Sequence, residues 1–556
     1  LDYLILQINK IKIILTLILI LIFIYHNQLT NNFTFLLGDT SGYDNTIHSS
    51  ILEHWFNFLQ GKSNWSEVGY FYPYERTIAQ TDGYFLTGLI YSPFRFLGLD
   101  PYLATEFVGI SLKIIGFFGV LLISRRIFCF NLNYSLILAT LFSLNNAMTA
   151  HGYRIQLATV AFVPWMFYLH FETIKAFFNS KRKRFFSFGS LSMVFFGLWC
   201  ITCFYMSWFY AFYTLIFLFV LLFIYKPRLV SIFRQAKFMF LPLIGLIVIG
   251  LISLSPFVYA YYPKSLESGT RIYENISFAT MTPENLFQLG DSNHFYSPIY
   301  TKVLQFLSPN YVQDTWEYYN MGISLFIFIL AVSALFYLRN LTNQKNKLIL
   351  ALLISTLLSL MLILRVNEQS LWELVFYFIP GAKALGVVNT FILVLSLPLY
   401  ISAVFFISEL KLRKIIIGPL VLFLFLSELN SPLLQLDRQA QTKMNLVVED
   451  PLPTCESFYV TGWVNQEKFY GFWEWINNQY GHNTSAMMLA QIVNLPTLNG
   501  MASFIPKDYG LVGPNGTAFS PNSDEYRQRI NDYIKRFELQ NVCELNLNTK
   551  KWSEFK

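Results

Sequence analysis

The chain has 556 residues, of which 54% are hydrophobic and 13% charged. Soluble domains carry about 25% charged residues, so these proportions exclude an ordinary water-soluble fold and point to a membrane chain. The formal charge is +7, but the Lys and Arg residues sit in short clusters between apolar runs, where they orient membrane spans rather than bind nucleic acid.

A helix needs about 20 apolar residues to cross the hydrocarbon core. Runs of that kind fall near 11–29, 102–124, 131–149, 155–174, 186–204, 206–225, 238–258, 319–338, 347–365, 386–408 and 414–430. The basic clusters follow in chain order: Lys10 and Lys12, Arg125 and Arg126, Lys181 to Arg184, Lys226 to Lys237, Arg339 to Lys347, and Lys411 to Lys414. In a model of about eleven spans every cluster falls on one side, as positive-inside sorting requires. The expected fold is therefore a polytopic all-α membrane protein over residues 1–430. Its N-terminus is cytoplasmic, and its long outer loops cover 30–101 and 259–318. Residues 85–99, interrupted by Gly88, Pro93 and Arg95, read as a helix lying at the interface. Residues 431–556 are richer in charges and turns, and are long enough for a small extracytoplasmic α/β domain.

Chemistry-bearing residues concentrate in the outer segments. The first loop reads Gly38-Asp39-Thr40-Ser41-Gly42-Tyr43-Asp44-Asn45-Thr46-Ile47-His48. Carboxylates so close to the bilayer can deprotonate an acceptor hydroxyl or hold a divalent cation. The alternative is a plain turn, for which Gly-Asp and Asp-Asn are common residues. A second stretch, His151-Gly152-Tyr153-Arg154, joins two spans on the outer side, where Arg is disfavoured. Arg154 suits a lipid phosphate, the alternative being a side chain that snorkels to headgroups. Glu317 enters a span from outside, where most acids merely cap a helix. Cys129, Cys200 and Cys203 read as small buried hydrophobes. With the tail outside, Cys455 and Cys543 can form a disulfide, two free thiols being the alternative. No Cys/His spacing points to a metal site.

The order of these features resembles the GT-C class of membrane glycosyltransferases, in particular its bacterial YfhO-like branch. The likeness rests on Gly38-Asp39 with Tyr70-Phe71-Tyr72-Pro73 and the segment to Leu99-Asp100-Pro101. It continues through His151 with Gln156 and Pro164, Glu317-Tyr318-Tyr319-Asn320-Met321-Gly322, and Leu498-Asn499-Gly500 through Pro506 and Tyr509. Where such relatives carry two arginines after Pro380-Gly381, Lys383 is the cation here. The resemblance implies a sugar transferred from a polyprenyl-phosphate donor to an envelope glycolipid, polymer or protein. The reaction would take place at the outer face of a bacterial inner membrane. It implies Asp39 as general base with Asp44 as second choice. His48, His151, Arg154, Glu317, Lys383 and Asn499 would bind substrate. No organic cofactor is expected, and a divalent cation is left open. The rival readings are a lipid or oligosaccharide carrier and a non-catalytic envelope scaffold. A carrier calls for charges deep in spans, of which Lys113 is the clearest.

Overall fold

The computed structural model describes all residues except 1, 40, 146–147, 150, 227–228, 310, 313–320, 339–342, 411–413, 432–433, 465–471, 514–516 and 556. Glu317 lies outside the described residues. The chain is mostly helical, and among the described residues seven helices are long and apolar enough to cross a membrane. These are Pro101–Arg126, Ile155–Phe178, Arg182–Thr202, Phe204–Tyr225, Phe240–Ser268, Gln344–Ile363 and Val388–Glu409. Three shorter apolar helices, Leu132–Ser143, Leu325–Leu338 and Ile415–Glu428, fall on other apolar runs. An N-terminal helix, Asp2–Ile24, turns Ile11, Leu15, Ile18 and Ile22 outward.

Several of the expected segments differ in length, Leu325–Leu338 and Ile415–Glu428 among them. The run at 131–149 is helical only over 12 residues, Leu132–Ser143, about 18 Å and short of the hydrocarbon thickness. The chain leaves the helix at Asn145, whose side chain instead donates to Ser396 Oγ at 2.5 Å. Conversely, the helix expected to end at 258 continues to Ser268 with Pro256 and Pro263 inside it.

Burial separates the spans into centre and rim. The Val388–Glu409 helix has 94% of its most apolar window buried, whereas Phe240–Ser268 has 11%. A helix apolar all round and covered all round is the hub of a bundle. One apolar all round and uncovered offers its face to lipid. The outer helix is held to Arg182–Thr202 by close approach at glycines. A Cβ on Gly197 would lie 2.3 Å from the Ser253 carbonyl oxygen, so only glycine lets the two backbones touch there.

Arg182–Thr202 and Phe204–Tyr225 are joined through Cys203 alone, an abrupt corner that the first loop completes. Asp82 Oδ1 accepts from the Phe204 N–H at 2.8 Å. The Gly83 and Tyr84 N–H groups donate to Ile201 and Thr202 carbonyls at 3.0 and 2.9 Å. Two carbonyls of one helix end and one N–H of the next are thus satisfied by the same loop.

In the tail, strand Val542–Asn546 lies between Ser457–Thr461, parallel to it, and Trp552–Glu554, antiparallel. A parallel pair needs a crossover, here containing helices Phe472–Val493 and Asp524–Arg536. A disulfide joins Cys455 to Cys543 with Cα atoms 5.6 Å apart. The tail docks directly on the first loop. The Phe71 and Tyr72 N–H groups donate to the Asn499 and Thr497 carbonyls at 3.1 and 3.0 Å, and Asn57 Nδ2 donates to the Gln491 carbonyl at 2.9 Å. Cys455 and Cys543 are 88 residues apart in sequence. Cys455→Ser should therefore cost about 2–5 kcal/mol of tail stability. Limited proteolysis of the full chain should show the tail cleaved at lower temperature, with cleavage sites confined to residues beyond 436.

Candidate functional site

The segment carrying Asp39 is fixed from three sides. Phe35–Leu36 pairs antiparallel with Leu436–Asp437. The Leu37 N–H donates to Glu106 Oε2 at 3.2 Å, and the Leu37 carbonyl accepts from Asn45 Nδ2 at 2.8 Å. Gly38 has φ +139°, and a Cβ there would lie 2.1 Å from Asn45 Oδ1, so glycine is required. Gly42, at φ +64°, then turns the chain into the Tyr43–Leu59 helix, with Asp44 in its first turn.

Asp39 is fully buried. Its Oδ1 accepts from the Ser41 hydroxyl, from the Ser41 N–H at 2.7 Å and from the Gly42 N–H at 3.1 Å. Its Oδ2 is buried and, among the described residues, has no hydrogen-bond donor. Burial, the largest influence, pushes its pKa up to about 6. The Ser41 hydroxyl opposes that rise, the Asp44 charge adds to it, and the Ser41 and Gly42 N–H groups also oppose it. Asp44 is half-buried and pairs with Arg154 at 3.3 Å. The short turn and the first loop, singled out separately in the sequence, thus meet in one place.

His48, one turn further along the helix, is buried, with its ring 5.4 Å from that of Tyr84. Burial lowers its pKa to about 4 against the opposing pull of Asp44, and Arg154 lowers it further. The imidazole is therefore neutral at physiological pH, and among the described residues its buried Nδ1 lacks a partner. His151 is buried in the turn that leads to Arg154, its carbonyl accepting from the Arg154 N–H at 3.0 Å.

The other described residues expected at the site, Lys383 and Asn499, make their contacts elsewhere. Lys383 is exposed, its ammonium 5.7 Å from the Tyr377 ring. Asn499 is fully buried in the tail. Its Oδ1 accepts from the Val460 N–H at 3.0 Å, and its Nδ2 donates to Asn483 and Tyr526 at 2.8 and 2.9 Å. That amide is occupied in holding the tail core together.

Three polar residues escaped the sequence reading. Asp82, already the cap of the span corner, is pushed up to about 6, chiefly by burial, and lies within electrostatic reach of Tyr84. Arg271 brings its guanidinium against Gly386, where a Cβ would lie 2.8 Å from Cζ. A cation from a distant segment therefore stands beside the stretch in which Lys383 was the expected one. Glu106 is buried inside a span and bonds Gln28 Nε2 at 3.3 Å as well as Leu37. An Asp-Gly pair reads as a turn, and a lone Arg in a long loop carries no pattern. Only long-range packing reveals either.

Among the described residues no three His, Cys, Asp or Glu side chains gather as metal ligands. A cation such as Mg²⁺ can be held by one or two carboxylates, with water and substrate phosphate as its other ligands. Asp39 and Asp44 are two such carboxylates, Asp44 being paired with Arg154.

No family model matches the chain, and no curated protein does. Among solved structures, an oligosaccharyltransferase of Archaeoglobus fulgidus, crystallised in complex with zinc and sulfate, aligns at a TM-score of 0.46 and 12% identity. The alignment covers 96% of this chain and 67% of that one. A likeness of that size assigns neither fold family nor activity. By length and composition of its helices, the chain is an integral membrane protein with a loop-and-tail assembly at one end of its bundle.

Proposed function

We propose that the chain is a membrane glycosyltransferase of the GT-C type, moving a sugar from a polyprenyl-phosphate donor to an envelope glycolipid, polymer or protein. The single observation that carries this reading is the Asp39 carboxylate. It is buried and raised to about 6, with Oδ2 free of donors, and it stands next to the Asp44–Arg154 pair. An acceptor hydroxyl bonded to Oδ2 gives up its proton as its oxygen attacks the anomeric carbon. The bond from that carbon to the donor phosphate breaks, and Arg154 meets the charge left on the phosphate. Until a phosphate arrives, Asp44 holds the guanidinium in place. Neutral His48 is suited to a sugar hydroxyl, and His151 shapes the turn that presents Arg154.

The same reading places the N-terminus in the cytoplasm and the tail outside, in a bacterial inner membrane. All eleven apolar segments are counted as crossing or entering the bilayer, about as many as positive-inside sorting needs. The Cys455–Cys543 bond supports an oxidising compartment for the tail.

The carrier reading draws on one observation. Glu106 and Lys113 are both buried in the Pro101–Arg126 span, and buried ionisable groups in spans often mark transport paths. Comparing saccharide masses in envelope extracts of wild-type, deletion and Asp39→Asn strains separates the two. Loss of the same saccharide in both mutants, with the Asn protein still present in the membrane, establishes transfer. An envelope defect in the deletion alone removes Asp39 from catalysis and puts the carrier or scaffold first.

A further inference from the structure

A groove of about 770 Å³ takes no part in the reaction proposed above. Leu198 and Pro256, on the outer halves of Arg182–Thr202 and Phe240–Ser268, form one side, and Trp55, Phe58 and Phe85 of the first loop form the other. It opens just beyond the point where Gly197 and Ser253 bring the two backbones together. Below that point the Phe240–Ser268 helix presents Ile247, Leu251 and Ile252 outward. The apolar wall therefore runs on without a break into the surface offered to lipid chains.

The rim is of a different character. Tyr259 lines the groove and stands 5.8 Å from the Trp65 ring, the pairing of amphipathic aromatics found at headgroup level. The Arg76 guanidinium lies 4.7 Å from the Tyr259 centroid. Among the described residues its side chain has no carboxylate partner, and its Nε is buried without an acceptor. A partly buried cation without an anion, beside an apolar groove at the end of two spans, is incomplete by itself. A phosphodiester supplies the missing acceptors, and the chain attached to it fills the groove.

We propose that this groove seats one acyl chain of an anionic glycerophospholipid from the adjoining leaflet, with Arg76 holding the lipid phosphate. The lipid is a resident ligand rather than the reacting donor. Trp55 lies about 16 Å along its helix from Asp44. Its indole N–H donates to the Gly83 carbonyl at 2.6 Å, closing the wall between groove and reaction site. The bound lipid would fix the rim of the first loop to the bilayer.

The test is quantitative lipid analysis of the purified full chain after detergent exchange, for wild type, Arg76→Gln and Ser255→Trp, which fills the groove. Wild type should retain about one anionic phospholipid per chain. Arg76→Gln should weaken retention roughly tenfold, the loss of one charge-assisted contact, and should abolish the preference for anionic over zwitterionic headgroups added back in mixed vesicles. Ser255→Trp should exclude lipid while the melting profile stays that of a folded chain. Retention unchanged by both substitutions, or absent from wild type, overturns the proposal. Retention of a polyprenyl phosphate instead overturns it as well and moves the donor to this groove. Neither result bears on Asp39, whose role is read from saccharide transfer alone.

Discussion

Replacing Asp39 by Asn is expected to lower sugar transfer by about 10²–10⁴-fold, the usual contribution of a positioned general base, while the chain still accumulates in the membrane. Asn keeps the shape and can still accept from Ser41 and Gly42 through its amide oxygen, so the loop should hold. What is lost is the basic Oδ2, and no neighbour replaces it, since Asp44 is engaged by Arg154. The pH profile gives an independent check. Burial raises Asp39 to about 6, and a base acts only when ionised. kcat/KM should therefore rise tenfold per pH unit below 6 and level off above it. At pH 5 about one tenth of the wild-type rate should remain. Asp44→Asn removes one of the influences that raise Asp39, so the acid limb should move to lower pH even as binding of the donor phosphate changes. A flat profile from pH 5 to 7 in the wild type would exclude Asp39 as the base.

The parts of this architecture that are legible in the sequence are those governed by local composition. Apolar runs mark helices because a backbone in lipid must satisfy its own hydrogen bonds, and seven of the runs are long enough by length and composition. The 131–149 run misleads because averaging over a long apolar stretch hides Asn145, which lies beyond the helix end and bonds Ser396 on the central span. Arg154 is conspicuous in the sequence because it breaks a rule, and Asp44 because it sits in an acid-rich loop. Their pairing across more than a hundred residues has no local signature. Asp82 and Arg271 are more deeply hidden. One looks like a turn residue until it caps Phe204, and the other looks like a stray loop cation until it packs against Gly386. Asn499 is a different case. It stands in a motif of functional appearance, yet its amide is bonded on all sides within the tail core.

A large effect on the stability of the helical part is expected from Glu53, nine residues after Asp44 on the same helix. Its carboxylate accepts from Arg95 Nε at 2.7 Å and Nη2 at 2.8 Å, and from the Tyr91 hydroxyl at 2.6 Å. Glu53 and Tyr91 are buried, and the Arg95 side chain is 17% exposed. These bonds clamp the Tyr43–Leu59 helix to Phe85–Phe96, the helix expected at the interface. Glu53→Ala leaves a cation and a hydroxyl without their acceptor in a largely dry contact. It should cost about 3 kcal/mol, the low end of the range for breaking a buried pair, because Arg95 keeps some contact with water. The expected readout is a lower unfolding temperature of the detergent-solubilised chain, together with weaker transfer, since the start of the same helix carries Asp44 and His48. The double change Glu53→Leu with Arg95→Met should recover most of that stability, because it removes both charges rather than stranding one. If the double variant regains the melting temperature but not the activity, Glu53 and Arg95 set the tilt of the helix at the reaction site. If it regains both, the clamp serves stability alone, and the placement of Asp44 depends on Arg154 and the Gly38–Gly42 turn.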